Sequence, residues 1–149
     1  MINVFAIIII PPYLCGANIN HWRARCRDKT PGQGREKMKL LTREIVNRLK
    51  KYPLYSQDGK KKEAVVVAKF FLPLGAWTWY VMEANLNNNI AYGITVNGSG
   101  ECEYGYFSLT ELQELRATKL GLSVERDIAF EPTKLADLDN EFVQEFLSR

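Results

Sequence analysis

Between Ala64 and Phe107 the chain passes four times through β-branched and aromatic residues, and each stretch is closed by residues that turn the backbone. Ala64 to Leu72 is rich in valine and phenylalanine, Trp77 to Ala84 is aromatic, Ile90 to Val96 alternates, and Glu101 to Phe107 follows. Pro73-Leu74-Gly75, Asn85 to Asn89 and Asn97-Gly98-Ser99-Gly100 lie between them. Such side chains suit a pleated strand, and connections this short can join only antiparallel neighbours. A meander of four strands is therefore predicted. If the first hairpin turns at 73–76, Phe70 lies opposite Trp79. Strict alternation then puts Trp77, Trp79, Val81 and Glu83 on one side and Thr78, Tyr80 and Met82 on the other.

Helical signals flank this block. Thr42 is a good N-cap for a short helix with Ile45, Val46 and Leu49 on its apolar side and Pro53 beyond its end. Ser108-Leu109-Thr110-Glu111 fits a capping box, with Leu109, Leu112 and Leu115 as the buried side of the helix that follows. Ser123 to Phe130 can add a fifth extended segment. Leu135, Leu138, Phe142 and Phe146 stand at helical spacing in the last stretch. The expected class is α+β: a largely antiparallel meander sheet of four to five strands with helices packed on one face.

The 149 residues suffice for one domain with a proper core. Residues 1–37 carry six basic and two acidic residues, leaving fourteen basic and fifteen acidic from Met38 onward. The globular part is thus expected at 38–149 and is nearly neutral, which argues against general phosphate-backbone binding. Residues 1–37 lack a sustained period and read as a disordered leader or an over-extended gene start. Gly32 to Lys37 can be encoded by the purine-rich codons of a translated ribosome-binding site. The apolar run Val4 to Ile10 is too short to span a bilayer and is stopped by Pro11-Pro12. Three cysteines, Cys15, Cys26 and Cys102, cannot all pair internally, which suits a reducing, cytoplasmic setting. A zinc site of Cys15, His21, Cys26 and Cys102 matches no closely spaced ligand pattern. A basic arm of Trp22, Arg23, Arg25 and Arg27 is the other reading of this segment.

Two groups of residues within the block could carry function. Lys69, Trp77, Trp79, Tyr80, Tyr104 and Tyr106 are candidates for an aromatic binding surface, against the plainer reading that large aromatics fill the core. Glu83, Glu103, Glu125, Arg126 and Asp127 are the polar residues that could converge, as a hydrolase would require, or else form ion pairs at a sheet edge. Gly105 marks a bulge or a close backbone approach. Lys60-Lys61-Lys62 reads as a solvated turn. Tyr104-Gly105-Tyr106-Phe107 lacks the leading basic residue of an RNA-recognition strand. No phosphate loop, dinucleotide fingerprint or zinc helix motif is present, and the sole histidine is His21. Neither a metal nor a cofactor is expected.

Three signatures in fixed order carry a family likeness: Lys69-Phe70-Phe71 with Trp77-Thr78-Trp79-Tyr80, then Tyr104-Gly105-Tyr106-Phe107-Ser108-Leu109, then Glu125-Arg126-Asp127. Preceded by Met38-Lys39-Leu40-Leu41-Thr42, they resemble the bacterial family called domain of unknown function 2958, over Met38 to Leu138. Members of that family are met mostly on plasmids, conjugative elements and phages. The resemblance implies a small accessory protein of such an element. With no complete catalytic constellation, the chain is expected to act by binding a protein partner rather than as an enzyme. The alternative is a carboxylate-based hydrolase of nucleotides or nucleic acid, with or without a metal.

Overall fold

Hydrogen-bond pairing along the aromatic block builds one antiparallel sheet of five strands. The computed structural model describes residues 39–73, 77–117 and 122–149. Met38–Arg149 packs as a unit of its own. Strands β2 (Ala68–Leu72), β3 (Trp77–Asn85), β4 (Ile90–Asn97) and β5 (Cys102–Ser108) run as the predicted meander. The fifth, β8 (Glu125–Arg126), joins β2 on its free side, giving the order β5-β4-β3-β2-β8. Phe70 faces Trp79 across the first hairpin, as alternation requires. Two small ladders stand apart from the sheet: β1 (Val65–Val66) with β9 (Thr133–Lys134), and β6 (Arg116–Ala117) with β7 (Leu122–Ser123).

Helix α1 (Arg43–Leu49) starts where Thr42 Oγ1 accepts the Ile45 N–H, and it buries Ile45 and Leu49. Helix α2 (Leu109–Glu114) starts where Ser108 Oγ accepts the Glu111 N–H at 3.2 Å, and it buries Leu109 and Leu112. Both contribute to an apolar cluster with Phe70, Trp79, Val81 and Phe107. Helix α3 (Glu141–Ser148) places Val143 in a second cluster with Tyr80, Met82, Ile94 and Val96. Because Trp79 and Tyr80 are successive strand residues, the two clusters lie on opposite sides of the sheet. Helices thus lie against both faces, where the sequence pattern suggested one. This explains why β3 is buried at every position from Trp79 to Ala84.

The terminal helix departs from its expected phase. Leu135–Asp137 forms a separate 3₁₀ turn, and Asn140 caps a new helix by accepting the Val143 N–H at 3.1 Å. That restart puts Val143 inside and leaves Phe142 52% exposed.

Strict alternation also fails on β3. Val81 pairs with Gly93, but Glu83 pairs with Tyr92, so Met82 is an extra residue in a β-bulge. Beyond it the strand changes phase. Ala84 takes the side of Trp79 and Val81, while Glu83 turns to the side of Tyr80 and Met82, opposite to its expected place. The close backbone approach is at Gly93, where an added Cβ would lie 1.9 Å from the Tyr80 carbonyl oxygen. Gly105 has no atom within 4 Å of that position, so it marks neither bulge nor close approach.

Candidate functional site

Once the bulge turns Glu83 over, its carboxyl group meets the segment leading from α1 to β1. Glu83 is 3% exposed and accepts the backbone N–H groups of Tyr55 and Gln57, one on each oxygen, the former at 2.7 Å. A buried carboxyl group needs such partners, because desolvation without them is strongly unfavourable. Gln57, also buried, accepts the Val65 N–H on Oε1 and donates from Nε2 to the carbonyls of Val65 and Met82, each at 2.9 Å. One side chain therefore satisfies the carbonyl at the bulge and clamps both ends of the lysine-bearing turn. Tyr55 is held at φ 71°, in the left-handed region, with its ring outward and 64% exposed.

The turn stands beside a row of aromatic rings on the same side of the sheet. Tyr92 and Tyr106 are direct cross-strand partners with ring centroids 4.9 Å apart, and Tyr104 lies diagonally from Tyr92 at 6.2 Å. Phe146 of α3 adds a fourth ring, 5.3 Å from Tyr104. Tyr104 and Tyr106 keep 36% and 41% of their surface exposed. An open groove of about 540 Å³ adjoins Tyr104, lined by Lys60, Lys61, Lys62, Glu63, Tyr104, Phe146 and Leu147. Glu63 is paired with Lys134 at 2.6 Å.

The surroundings hold these phenols in their neutral form. Contact with Tyr55, followed by burial, pushes the Tyr106 hydroxyl up to about 12. Burial raises Tyr104, helped by Tyr92, and it raises Tyr92, helped by Glu83 and Asp58. Burial likewise pushes the Cys102 thiol up, against the lowering effect of Arg149. The arrangement therefore offers neutral hydroxyls and ring faces beside ammonium groups, which suits recognition better than nucleophilic attack.

The six aromatic-surface candidates separate. Tyr104 and Tyr106 are exposed in the row just described. Trp79 is buried in the first cluster, and half-buried Trp77 stacks on it at 6.0 Å, so neither offers a free ring platform. Tyr80 is buried on the other side, its hydroxyl accepting from Asn140 Nδ2 at 3.0 Å. Lys69 is half-buried and pairs with Asp127 at 3.0 Å. All three central aromatics are covered because the sheet has packing on both faces.

The polar candidates do not share a site. Glu83 is engaged with the turn. Glu103 and Glu125 lie on the opposite edge strands β5 and β8, four strand spacings apart, which is about 19 Å. Asp127 holds Lys69, and Arg126 Nη1 donates to the Lys39 carbonyl at 3.3 Å. Among the described residues no group of three or more His, Cys, Asp or Glu could hold a metal ion. Cys15, His21, Cys26 and the arm of Trp22, Arg23, Arg25 and Arg27 lie outside the described residues.

Sequence reasoning missed Tyr55, Tyr92, Phe146 and the lysine turn as site members. Tyr92 had a signal: a tight turn centred on Ser99 sets it opposite Tyr106. The others arrive through tertiary packing and have no local mark. A second shallow groove, about 510 Å³, lies on the outer side of α1 and is lined by Lys39, Leu41, Arg43, Val46, Asn47 and Lys50. No described helix is long and apolar enough to cross a membrane.

A family model described as "Protein of unknown function (DUF2958)" matches residues 40–138. No curated protein and no solved structure matches the chain.

Proposed function

The chain belongs to the DUF2958 family, and from its geometry we propose that it is a binding protein whose contact surface is the tyrosine row of β4 and β5 together with the lysine turn. We assign it to the cytoplasm as an accessory protein of a plasmid, conjugative element or phage, with a protein as its partner. One observation carries this reading: Tyr104 lines a groove with Lys60–Lys62, and Tyr106 and Tyr55 stay exposed next to it, although Trp79 and Tyr80 are packed away. Tyrosine offers a large, stiff, amphipathic contact and is enriched where proteins bind one another. The near balance of charge in 38–149 favours a protein over a phosphate backbone. A carboxylate hydrolase lacks comparable support, because Glu103 and Glu125 stand on opposite edges of the sheet.

The test places a photoreactive benzoylphenylalanine at position 106, with the same probe at exposed Thr110 on α2 as a control. Irradiation of host cells should give a discrete protein adduct from position 106 and none from 110. Transfer of the label to nucleic acid, or equal labelling from both positions, refutes the proposal.

A further inference from the structure

The two edges of the sheet are unlike. β8 spans two residues, too short to template another strand, whereas β5 spans seven and pairs with β4 in unbroken register. Natural edge strands are usually blunted by shortness, bulges, proline or charge, above all lysine; β5 is long and unbulged, has neither proline nor lysine, and carries one charge, Glu103. Among the described residues no strand pairs with its outer side.

The direction of its free groups follows from two bonds. The Asn97 N–H donates to the Glu101 carbonyl at 3.0 Å, and the Leu109 N–H donates to the Asn89 carbonyl at 2.8 Å. In an antiparallel ladder the hydrogen-bonded pairs recur every second residue. Glu103, Gly105 and Phe107 therefore bond inward to β4, and Cys102, Tyr104 and Tyr106 turn their N–H and C=O groups outward. On one side of this edge stand the tyrosine rings and the lysine turn. On the other, Gly105 leaves open space where a side chain would stand.

We infer that the partner supplies an extended segment that adds to β5 as a sixth strand, with acidic side chains facing Lys60, Lys61 and Lys62. This rests on the reading that the partner is a protein. Main-chain bonding to the outward groups supplies the attachment, and alternate side chains read the two sides of the edge. The acidic character follows from charge complementarity. Lys60, Lys61 and Lys62 are exposed and enter no ion pair among the described residues, and of the nearby carboxylates Glu63 is occupied by Lys134. Asp58, which lies near Tyr92 and Tyr106, offsets only part of the three positive charges. A second copy of the chain fits less well. Antiparallel pairing of two β5 strands about a twofold normal to the sheet would bring both lysine turns to one face, where they repel.

The experiment uses the full chain and three labelled probes: a short peptide alternating glutamate and valine, one alternating lysine and valine, and oligothymidylate. Fluorescence anisotropy at low and physiological salt should show the glutamate peptide binding at least about tenfold more tightly than either other probe. Bound peptide should slow amide hydrogen exchange at Cys102, Tyr104 and Tyr106, with little change at Glu103, Gly105 and Phe107. Replacing the three lysines together, Lys60→Glu, Lys61→Glu and Lys62→Glu, should weaken binding by about tenfold or more while leaving the unfolding midpoint in place. Peptide binding without protection at those three amides overturns strand addition alone, and the cross-linking result at position 106 is unaffected. Tighter binding of oligothymidylate overturns both the inference and the protein-partner reading. A concentration-dependent dimer that protects the same amides without peptide assigns the edge to a second copy and overturns the acidic partner.

Discussion

Replacing Gly93 by alanine should open the centre of the sheet, whereas the same change at its cross-strand partner Gly105 should be nearly silent. An alanine Cβ at position 93 would lie 1.9 Å from the Tyr80 carbonyl oxygen and 3.0 Å from the Tyr80 carbonyl carbon, all of it backbone. Ordinary contact begins near 3.4 Å, so β3 and β4 must part locally by about 1.5 Å. That displacement carries ladder bonds of about 2.9 Å past any useful hydrogen-bond length. Two bonds lost at about 1 kcal/mol each, with strain of similar size in the bulge, give a destabilisation of about 3–5 kcal/mol. At position 105 the new methyl group meets nothing within 4 Å, and removing glycine's flexibility from a strand is favourable by up to about 1 kcal/mol. Urea unfolding followed by tryptophan fluorescence should show the Gly93→Ala midpoint fall by about 2 M, with Gly105→Ala unchanged or slightly higher. Equal midpoints for the two variants, or greater damage at Gly105, would refute the assignment of the close approach to Gly93.

Gln57→Ala removes three hydrogen bonds, one buried and two partly buried, and strands the Val65 N–H and the Met82 carbonyl; it should destabilise the domain by about 2–4 kcal/mol, and an unchanged denaturation midpoint would contradict the clamp. Alkali should loosen the fold through its tyrosines. Tyr80, Tyr92, Tyr104 and Tyr106 all titrate above the value of 10.0 expected for the unfolded chain, so their stabilisation is complete below that pH and is lost as pH rises toward about 12, the value for Tyr106. Tyrosinate absorbance recorded alongside unfolding tests this, and complete ionisation near pH 10 with the fold intact would contradict it.

Local patterns in the chain carried the meander well. The turn residues set the hairpin phase that pairs Phe70 with Trp79, and Thr42 and Ser108 cap the helices they precede. Three features escaped for separate physical reasons. The bulge at Met82 is decided across strands, by the space Gly93 leaves and by the Gln57 side chain that takes the Met82 carbonyl, so β3 read alone gives no warning that Glu83 changes sides. The phase of α3 depends on where the helix restarts, and Asn140 moves that start past Leu135 and Leu138. The burial of both Trp79 and Tyr80 follows from packing on two faces, which alternation within one strand does not reveal. Of the candidate surface, Tyr104 and Tyr106 were legible from β5. The lysine turn is exposed, as its composition suggests, and its place beside Tyr104 comes from tertiary packing alone.

The clamp at Gln57 separates the lysine turn from the architecture that carries it. With the chain pinned where Gln57 bonds Val65, the intervening residues form a closed loop whose ends do not move when its contents change. Doubling the length of such a loop costs only about 0.6 kcal/mol, and its exposed side chains contribute nothing to either core. Residues 58–63 therefore behave as an exchangeable cassette. A substitution there changes charge and reach without touching the sheet, its bulge or its free edge.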